Sequence, residues 1–311
     1  MYKMNLDLLK QNIMDRKPDL SDSTCMLYVN ILSRYAKQIY TGEDVTIDTL
    51  QQLSMDDIAR GVNPSWSKAG LKNYYCAWKS LTGLSQLTTE ITAISIQLTA
   101  TAKTHVPTQN DIDNQLSEDD KMEVLNKCKL LAEEEYTSIA ESGFEYRKFK
   151  IIQDYIVVCL TSGVYIAPRR TMDWISFKIK NVTMDVDNYF GVGNTIVFNK
   201  FKTTKTAGQQ TISIPIELGD ILERYCCVNP YEFLLTNRKG ESYTSPSYNK
   251  MLNAIFKESS GYGKGHATNA MRHSYLQNKY SKVISVARNL KADMKAMGSS
   301  LADVDYYIKE F

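Results

Sequence analysis

Histidine and cysteine are too few and too scattered in this sequence to form a metal centre. The chain has three His and six Cys, and no two cysteines have the CxxC spacing of a zinc or redox site. The same scatter excludes a disulfide framework, and the apolar neighbours of most cysteines predict buried thiols. We therefore expect no metal and no other cofactor.

Long apolar runs and common catalytic signatures are also missing. No stretch reaches about 18 apolar residues, which excludes a transmembrane helix. Residues 1–10 are amphipathic and contain no signal-peptide core, so we expect an intracellular protein that is neither secreted nor bound to a membrane. A P-loop, a paired-carboxylate signature and a Ser-His-Asp set are absent as well. The usual marks of nucleotide-binding enzymes and of many hydrolases are therefore lacking.

Charge is present but unevenly spread, although the net charge is only +2. Residues 111–145 hold 11 Asp and Glu against 3 Lys and Arg, a net of −8. Residues 146–311 hold 23 Lys and Arg against 14 Asp and Glu, a net of +9. The basic region predicts a polyanionic partner, while the acidic stretch is typical of a solvated surface.

Apolar residues at helical spacing predict a compact, all-helical first domain, residues 1–100. Its predicted helices cover residues 5–16, 22–41, 50–59, 65–81 and 85–100. The aromatic residues of this domain also follow the helical period. That spacing indicates core packing rather than a surface for stacking bases.

Residues 101–117 are polar and contain Pro107, which predicts a linker. Ser117 and the acidic residues after it form a strong helix N-cap, which opens the second domain, residues 118–311. Helices are predicted at 118–135, 148–161, 217–227, 245–258, 267–280, 284–296 and 300–310, and strands at 177–184, 195–201, 211–215 and 232–235. The predicted fold is mainly α with a small antiparallel β-sheet, an α+β protein.

Four groups of basic and phenolic residues stand out in the second domain. In chain order they are Arg169 with Arg170, Lys202 with Lys205, Arg272 with His273, and Tyr306 with Tyr307. The third group begins a predicted helix after a glycine-rich stretch, where donors and the helix dipole favour a phosphate. Taken singly, each group also fits a structural role: an ion pair with Asp173, a charged hairpin surface, or packing of the last helix.

Two guanidinium groups, an ammonium group and a phenol together suit metal-free phosphoryl transfer to tyrosine. Arginines bind the non-bridging phosphate oxygens in pairs and stabilise the charge of the transition state. A lysine protonates the leaving sugar oxygen, and a tyrosine attacks and holds the phosphodiester as a covalent intermediate. This chemistry joins the four groups into one predicted site.

The order of these residues and their local sequences resemble the tyrosine recombinase family, the phage-type integrases. Residues 162–173 resemble the family's first Arg segment, 201–204 its lysine hairpin, 270–275 its second Arg box, and 297–309 its tyrosine-bearing end. The resemblance covers nearly the whole chain. It implies that the first domain is a core-binding domain that clamps DNA and that the second is catalytic.

The resemblance assigns roles to particular residues of this chain. It selects Arg170, Lys202, Arg272 and Tyr307 as catalytic residues, with Asp173 as the acidic partner of Arg170. Arg169, Lys205 and Tyr306 are the respective reserves, and Arg169, Lys205 and His273 are predicted to contact DNA.

Two positions depart from the family pattern. Asn269 stands where the family has His or Lys, with His266 nearby but out of register, and Ser299 stands where it has His or Trp. Both side chains can still donate a neutral hydrogen bond to a phosphate, so we keep both in the predicted catalytic set. The departures predict reduced activity, or a homologue that binds DNA without cutting it.

The function that the resemblance implies is site-specific recombination or integration through a 3′-phosphotyrosine intermediate. Its partner is double-stranded DNA, on which the protein is expected to form a homodimer or homotetramer. The alternatives are a type IB topoisomerase, a catalytically weakened DNA-binding protein, and a helical interaction module that does not bind DNA. The local sequence of residues 168–174 and that of the Lys-Thr hairpin most resemble those of integrases of virophages and related large-DNA-virus elements.

Overall fold

The computed structural model describes residues 5–40, 45–103, 115–260 and 268–297 of this chain. The chain divides into two compact units, Met1–Val106 and Pro107–Phe311. The linker predicted at 101–117 falls largely outside the described residues, so the predicted domain boundaries stay a prediction.

The described part of the first unit is built from helices. They are α1 (Leu6–Arg16), α2 (Asp22–Ile39), α3 (Ile47–Gln51), α4 (Met55–Arg60), α5 (Lys68–Thr82) and α6 (Gln86–Lys103). Side-chain oxygens cap the start of several of them, as at Ser21, where the hydroxyl accepts from the backbone N–H of Thr24. Gly83 adopts a left-handed conformation, φ +77°, and ends α5.

The single helix predicted at 50–59 is wrong, because the chain forms two shorter helices there. Ser54 interrupts the segment as the N-cap of α4. Its hydroxyl accepts from the N–H of Asp57, and the Asp57 carboxylate accepts from the N–H of Ser54. This reciprocal capping box stabilises a helix start, so the preceding helix ends at Gln51.

The core of the first unit is aromatic. Trp78 is fully buried, and its ring lies at 4.8 Å from Tyr35 and 6.2 Å from Tyr74, centroid to centroid. The Tyr74 hydroxyl donates to the carbonyl of Ile58, so the only polar atom of the Tyr74 side chain has a hydrogen-bond partner. These rings therefore pack the helices together, in agreement with the core role predicted for them.

The second unit is mainly α with a three-stranded antiparallel sheet, the fold class predicted from the sequence. Its described helices are α7 (Glu118–Ser142), α8 (Tyr146–Thr161), α9 (Thr171–Ile175), α10 (Thr204–Ala207), α11 (Ile216–Val228), α12 (Ser245–Ser260) and α13 (Thr268–Ala296). Its strands are β1 (Tyr189–Gly191), β2 (Thr195–Phe198) and β3 (Gln210–Ser213).

Helix α8 lies at the centre of this unit. Every residue from Tyr155 to Thr161 is buried, which matches the apolar character of this stretch on all sides. The Phe149 ring stacks on Tyr225 of α11 at 5.5 Å. The helix ends at Thr161, and the chain leaves the core there toward the candidate site.

The sheet has the order β1-β2-β3, and its first strand is not where the sequence predicts it. No strand covers 177–184: Phe177 and Lys178 make only isolated bridges, to Asn188 and Phe233. The strand predicted at 232–235 is likewise reduced to the bridge at Phe233. The chain turns instead at Asn181 and Asp185, which have positive φ angles, and enters β1 afterwards.

The turn between β1 and β2 carries a sequence signal for this hairpin. Gly193 and Asn194 have φ angles of +70° and +55°, and the Gly-Asn pair suits such a tight reversal. Gly191 then pairs with Thr195, and Tyr189 with Val197. On the other side of β2, Thr195 pairs with Ser213 and Phe198 with Gln210.

The two helices predicted at 267–280 and 284–296 are one continuous helix, α13. Ser281, Lys282 and Val283, which were predicted to separate them, include neither proline nor glycine, so nothing in the backbone stops the helix. The helix predicted at 300–310 lies outside the described residues. Within the described helices, none combines the length and the apolar character that crossing a bilayer would require.

Candidate active site

An open cleft of about 450 Å³ in the second unit brings two distant arginines together. Arg170 stands at the N-cap position of α9, and Arg272 lies in the second turn of α13. Both line the cleft, with Tyr165, Thr203 and Gln210 among its other walls. The structure thus unites the Arg groups that the sequence places about a hundred residues apart.

The wall that carries Arg170 is shaped by Gly163, just after α8. This residue has φ +88°, and a Cβ atom there would lie 2.7 Å from Cδ2 of Tyr275 and 3.3 Å from Cγ of Pro168. Only glycine therefore fits the turn without displacing α13 or the proline. The turn lets the segment between α8 and α9 pack against the helix that bears Arg272.

Three polar side chains fasten the starts of α9 and α13 to each other. The hydroxyls of Thr171 and Thr268 lie within hydrogen-bond distance of each other, at 2.9 Å, and of Oδ1 of Asn249 on α12, at 3.3 and 3.1 Å. Since each hydroxyl has one proton, one of them donates to Asn249 while the other donates to its neighbour. Thr171 directly follows Arg170, and Thr268 is one helical turn before Arg272. The contacts therefore fix the two arginines relative to one another.

The electrostatics of the cleft follow from this proximity. Burial lowers the pKa of the Arg272 guanidinium, and the positive charge of Arg170 lowers it further. Arginine nevertheless remains protonated at neutral pH, so two cations face the same space. Such a cleft favours an anion that accepts from both guanidinium groups.

Arg169 lines the same cleft but is engaged with the protein around it. Its Nε donates to Oδ2 of Asp173 at 2.8 Å, and a terminal nitrogen donates to Oε1 of Gln210 at 3.0 Å. Its guanidinium also lies over the Phe198 ring, 3.8 Å from the centroid. The Asp173 carboxylate, predicted to partner Arg170, forms its salt bridge with Arg169. Arg170 acts on it as well, because its charge and a backbone hydrogen bond oppose the rise that burial causes in the pKa of Asp173.

Asp173 is buried, with 4% of its side chain exposed. Burial raises the pKa of its carboxyl group, and the charge and hydrogen bond of Arg169 oppose that rise. Asp173 and Arg169 thus form a buried ion pair. The hydrogen bond from Arg169 to Gln210 of β3 connects this pair to the sheet.

The loop that carries the predicted lysines contributes other residues to the wall of the cleft. The loop between β2 and β3 contains a turn of helix, α10, rather than an extended hairpin end. Phe201 and Thr203 line the cleft, whereas Lys202 between them is exposed, as is Lys205. Lys202 therefore lies between two lining residues in the sequence, but its own side chain is not among those that line the cleft.

The remaining predicted residues are not in the cleft lining or are not described. Asn269 and His273 are exposed on the first two turns of α13 and are not among the residues that line the cleft. His273 directly follows Arg272, and successive helical residues point about 100° apart. His266, Ser299, Tyr306 and Tyr307 lie outside the described residues. Within the described ranges, no group of three or more His, Cys, Asp or Glu side chains is placed to hold a metal ion.

The sequence interpretation missed Gln210, Thr171, Thr268 and Asn249. Each is an ordinary polar residue with no spacing motif around it. Their importance lies in contacts between elements that are far apart in the chain, such as Thr171 with Thr268. A single sequence contains no signal for such a pairing.

Comparison with known proteins finds no matching family model and no matching curated protein. Similar solved structures exist, and those compared are recombinases and integrases. The XerH site-specific recombinase bound to difH substrate has a TM-score of 0.49 and 13% identity, over 89% of this chain and 84% of that one. The Tn1549 transposon integrase in complex with transposon right end DNA has 0.44 and 16%, over 99% and 96%.

A lambda integrase dimer bound to a COC′ core site has a TM-score of 0.43 and 12% identity, over 89% of each chain. These are likenesses of fold. The roles of individual residues in this chain do not follow from them.

Proposed function

We propose that this protein is a site-specific DNA recombinase or integrase that cuts and rejoins strands through Tyr307. The observation that carries the proposal is the cleft in which Arg170 and Arg272 meet. Two guanidinium groups in one half-open cleft match the two non-bridging oxygens of a backbone phosphate. The tyrosine and the lysine come from the resemblance to tyrosine recombinases.

In the cutting step, the phenolic oxygen of Tyr307 attacks the phosphorus and the bond to the 5′ oxygen breaks. The phenol gives its proton to water, and Lys202 gives a proton to the departing 5′ oxygen and is later reprotonated from water. The products are a 3′-phosphotyrosine and a free 5′-hydroxyl. Attack by a 5′-hydroxyl of a partner strand reverses the step, so the phosphodiester energy is conserved and no nucleotide is consumed.

Arg170 and Arg272 stabilise the added negative charge of the transition state. Loss of one preorganised donor of this kind typically costs about 10²- to 10³-fold in rate. Asn269 and Ser299 are proposed to add neutral hydrogen bonds to the same phosphate, and Lys205 and His273 to contact the DNA nearby. Arg169, already paired with Asp173, supports the cleft.

Exchange of strands between two duplexes needs several active sites at once, so we propose a dimer or tetramer on double-stranded DNA inside a cell. The sequence of residues 168–174 and the Lys-Thr hairpin further suggest a relative of virophage and large-DNA-virus integrases. The first unit is proposed to clamp the duplex.

The test is to trap the covalent intermediate on nicked suicide duplexes, from which the short 5′-hydroxyl fragment diffuses away after cutting. A pool with randomised central sequence avoids the need to know the target. We expect a denaturant-resistant protein–DNA adduct with the wild type and with Tyr306→Phe, and none with Tyr307→Phe. No adduct from the wild type, or an equal yield from Tyr307→Phe, would overturn the proposal.

A second candidate is a DNA-binding protein that has lost catalysis. The observation that favours it is Asn269, which replaces the family's cationic residue and is exposed outside the cleft lining. It predicts salt-dependent DNA binding without any adduct in the same experiment. Relaxation of supercoiled plasmid by a monomer, without a preferred site, would point to a topoisomerase instead.

A further inference from the structure

The side-chain amide of Asn188 links the arginine helix to the lysine loop. Asn188 is fully buried and directly precedes β1. Its Nδ2 donates to the carbonyls of Asp173 and Lys200, both at 2.9 Å. Its Oδ1 accepts from the backbone N–H groups of Asn199 and Lys200, at 2.8 and 2.7 Å. The amide thus uses both of its donors and both of its lone pairs.

The two segments that Asn188 joins are those that carry the proposed chemistry. Asp173 lies in α9, three residues after Arg170, and Lys200 lies two residues before Lys202. One amide therefore sets the spacing between the helix that presents an arginine and the loop that presents the lysine. A buried amide with every bond made is rigid, since breaking any of them leaves a polar group without a partner.

Asn199 connects the C-terminal end of the lysine loop, at Gln209, to the segment that contains Asn188. The Asn199 side chain donates from Nδ2 to the carbonyl of Asp187 at 2.8 Å, and its Oδ1 accepts from Nε2 of Gln209 at 2.8 Å. Residues 200 and 209 are thus held at the base of the loop. Lys202 and Lys205 are exposed between these two ties.

We propose that Asn188 is a positioning residue that holds Lys202 within reach of the leaving 5′ oxygen, while Arg170 and Arg272 hold the phosphate. This inference rests on the proposed recombinase function. It assigns to Asn188 one part of that function, delivery of the proton to the leaving group.

The matched variants are Asn188→Asp and Asn229→Asp. The first removes both amide donors of Asn188 and keeps an acceptor for the backbone of Lys200. Asn229 is also buried, 2% exposed, and its Nδ2 likewise donates to two backbone carbonyls, those of Phe233 and Leu234. Asn229 does not line the cleft, so its variant controls for the loss of any buried amide.

The discriminating substrate is a suicide duplex in which sulfur replaces the 5′ bridging oxygen at the cut site. A thiolate leaves without being protonated, so this substrate does not need a general acid. On the oxygen substrate we expect Asn188→Asp to form adducts about 100-fold more slowly than the wild type, the lower range for loss of a general acid. On the sulfur substrate we expect both Asn188→Asp and Lys202→Ala to form adducts at the wild-type rate. We expect Asn229→Asp to form adducts at the wild-type rate on both substrates.

An equal loss on both substrates would make Asn188 merely structural and overturn the inference, as would no loss on the oxygen substrate. The inference is also overturned if the sulfur substrate does not restore the rate of the Lys202→Ala variant. In each of these cases, adducts formed by the wild type would still support the proposed function. No wild-type adduct on either substrate would instead be the failure of the proposed function.

Asn199→Ala is the second variant, in case Asn188→Asp does not fold. Asn199 is only partly buried, and its loss cuts the tie to Gln209 while leaving the Asn188 amide in place. We expect a smaller slowing on the oxygen substrate that is again rescued by sulfur. Unrescued slowing, or none, would count against the inference in the same way.

Discussion

Arg169 and Arg170 are adjacent and chemically identical, and both line the cleft, yet their guanidinium groups have different partners. Arg169 is held by Asp173, by Gln210 and by the Phe198 ring. The positive charge of Arg170 lowers the pKa of Arg272, and that of Arg169 does so more weakly. Of the two, Arg170 is therefore the residue that we propose to bind the phosphate.

Replacing Arg169 by leucine is expected to destabilise the protein in a pH-dependent way. The variant leaves the Asp173 carboxylate buried without its cation, which typically costs about 3 kcal/mol or more. Because Arg169 opposes the rise in the Asp173 pKa, its removal raises that pKa further. The folded state then binds the proton more tightly than the unfolded chain does, so stability falls as pH rises between the two pKa values. Urea unfolding should therefore show a larger loss at pH 7 than at pH 5.

The control for this prediction is Arg224→Leu. Arg224 also pairs with a carboxylate, Glu133 at 2.7 Å, and lies over the Tyr136 ring, but both members of this ion pair are about half exposed. We expect it to cost less than about 1 kcal/mol, as exposed pairs do. Adding Asp173→Asn to Arg169→Leu should remove the pH dependence. An Arg169→Leu penalty that is the same at both pH values would contradict the buried-pair account.

At the scale of the elements, the helices could be predicted from sequence better than the strands. Helix starts depend on local chemistry, and Ser117 with Asp120 forms the capping box that opens α7. Strand β1 depends on its neighbours instead: the bridge from Phe177 to Asn188 and the bonds of the Asn188 amide set where the strand begins. These contacts join residues far apart in sequence, so the pattern of apolar residues misplaced the strand.

The candidate site could be predicted in part for the same reason. Arg170 and Arg272 stand in short motifs, and the structure brings them into one cleft. The salt bridge of Asp173 with Arg169 was not predicted, because spacing alone does not tell which of two neighbouring arginines forms it. The clamp of Thr171, Thr268 and Asn249 was not predicted at all.

That clamp can be tested by two changes at the start of α13. Thr268→Val keeps the shape of the side chain but removes the hydroxyl that contacts Thr171 and Asn249, whereas Thr268→Ser keeps the hydroxyl. We expect Val to lower the free energy of unfolding by about 1 kcal/mol. It should also slow adduct formation by roughly 10-fold or more, since small misplacement of catalytic groups has large effects on rate. Thr268→Ser is expected to match the wild type in both unfolding free energy and adduct formation. Equal effects of Thr268→Val and Thr268→Ser would show that the hydroxyl contacts do not position the arginines.

At the scale of the whole molecule, the net charge of +2 hides an uneven distribution along the chain. The stretch 111–145 carries a net of −8, and residues 146–311, which include both arginines of the cleft, carry +9. If the proposed function is right, binding of DNA to the basic stretch releases counterions and weakens as salt is added.

The salt dependence can show whether the two arginines hold one phosphate. The logarithm of the binding constant falls with the logarithm of salt concentration by about 0.9 for each phosphate neutralised. If Arg170 and Arg272 hold the same phosphate, Arg170→Gln and Arg272→Gln should each leave the slope nearly unchanged, because the other guanidinium still neutralises it. The double variant should then reduce the slope by about 0.9.

Fluorescence anisotropy with a labelled duplex between about 50 and 200 mM salt covers the range in which such slopes are measured. A double variant whose slope falls by about 1.8, with each single change contributing half, would place the arginines on separate phosphates. That result would leave DNA binding intact but remove the single-phosphate cleft on which the proposed chemistry depends. A slope that falls by about 0.9 only when both arginines are changed is therefore the outcome that the proposed function predicts.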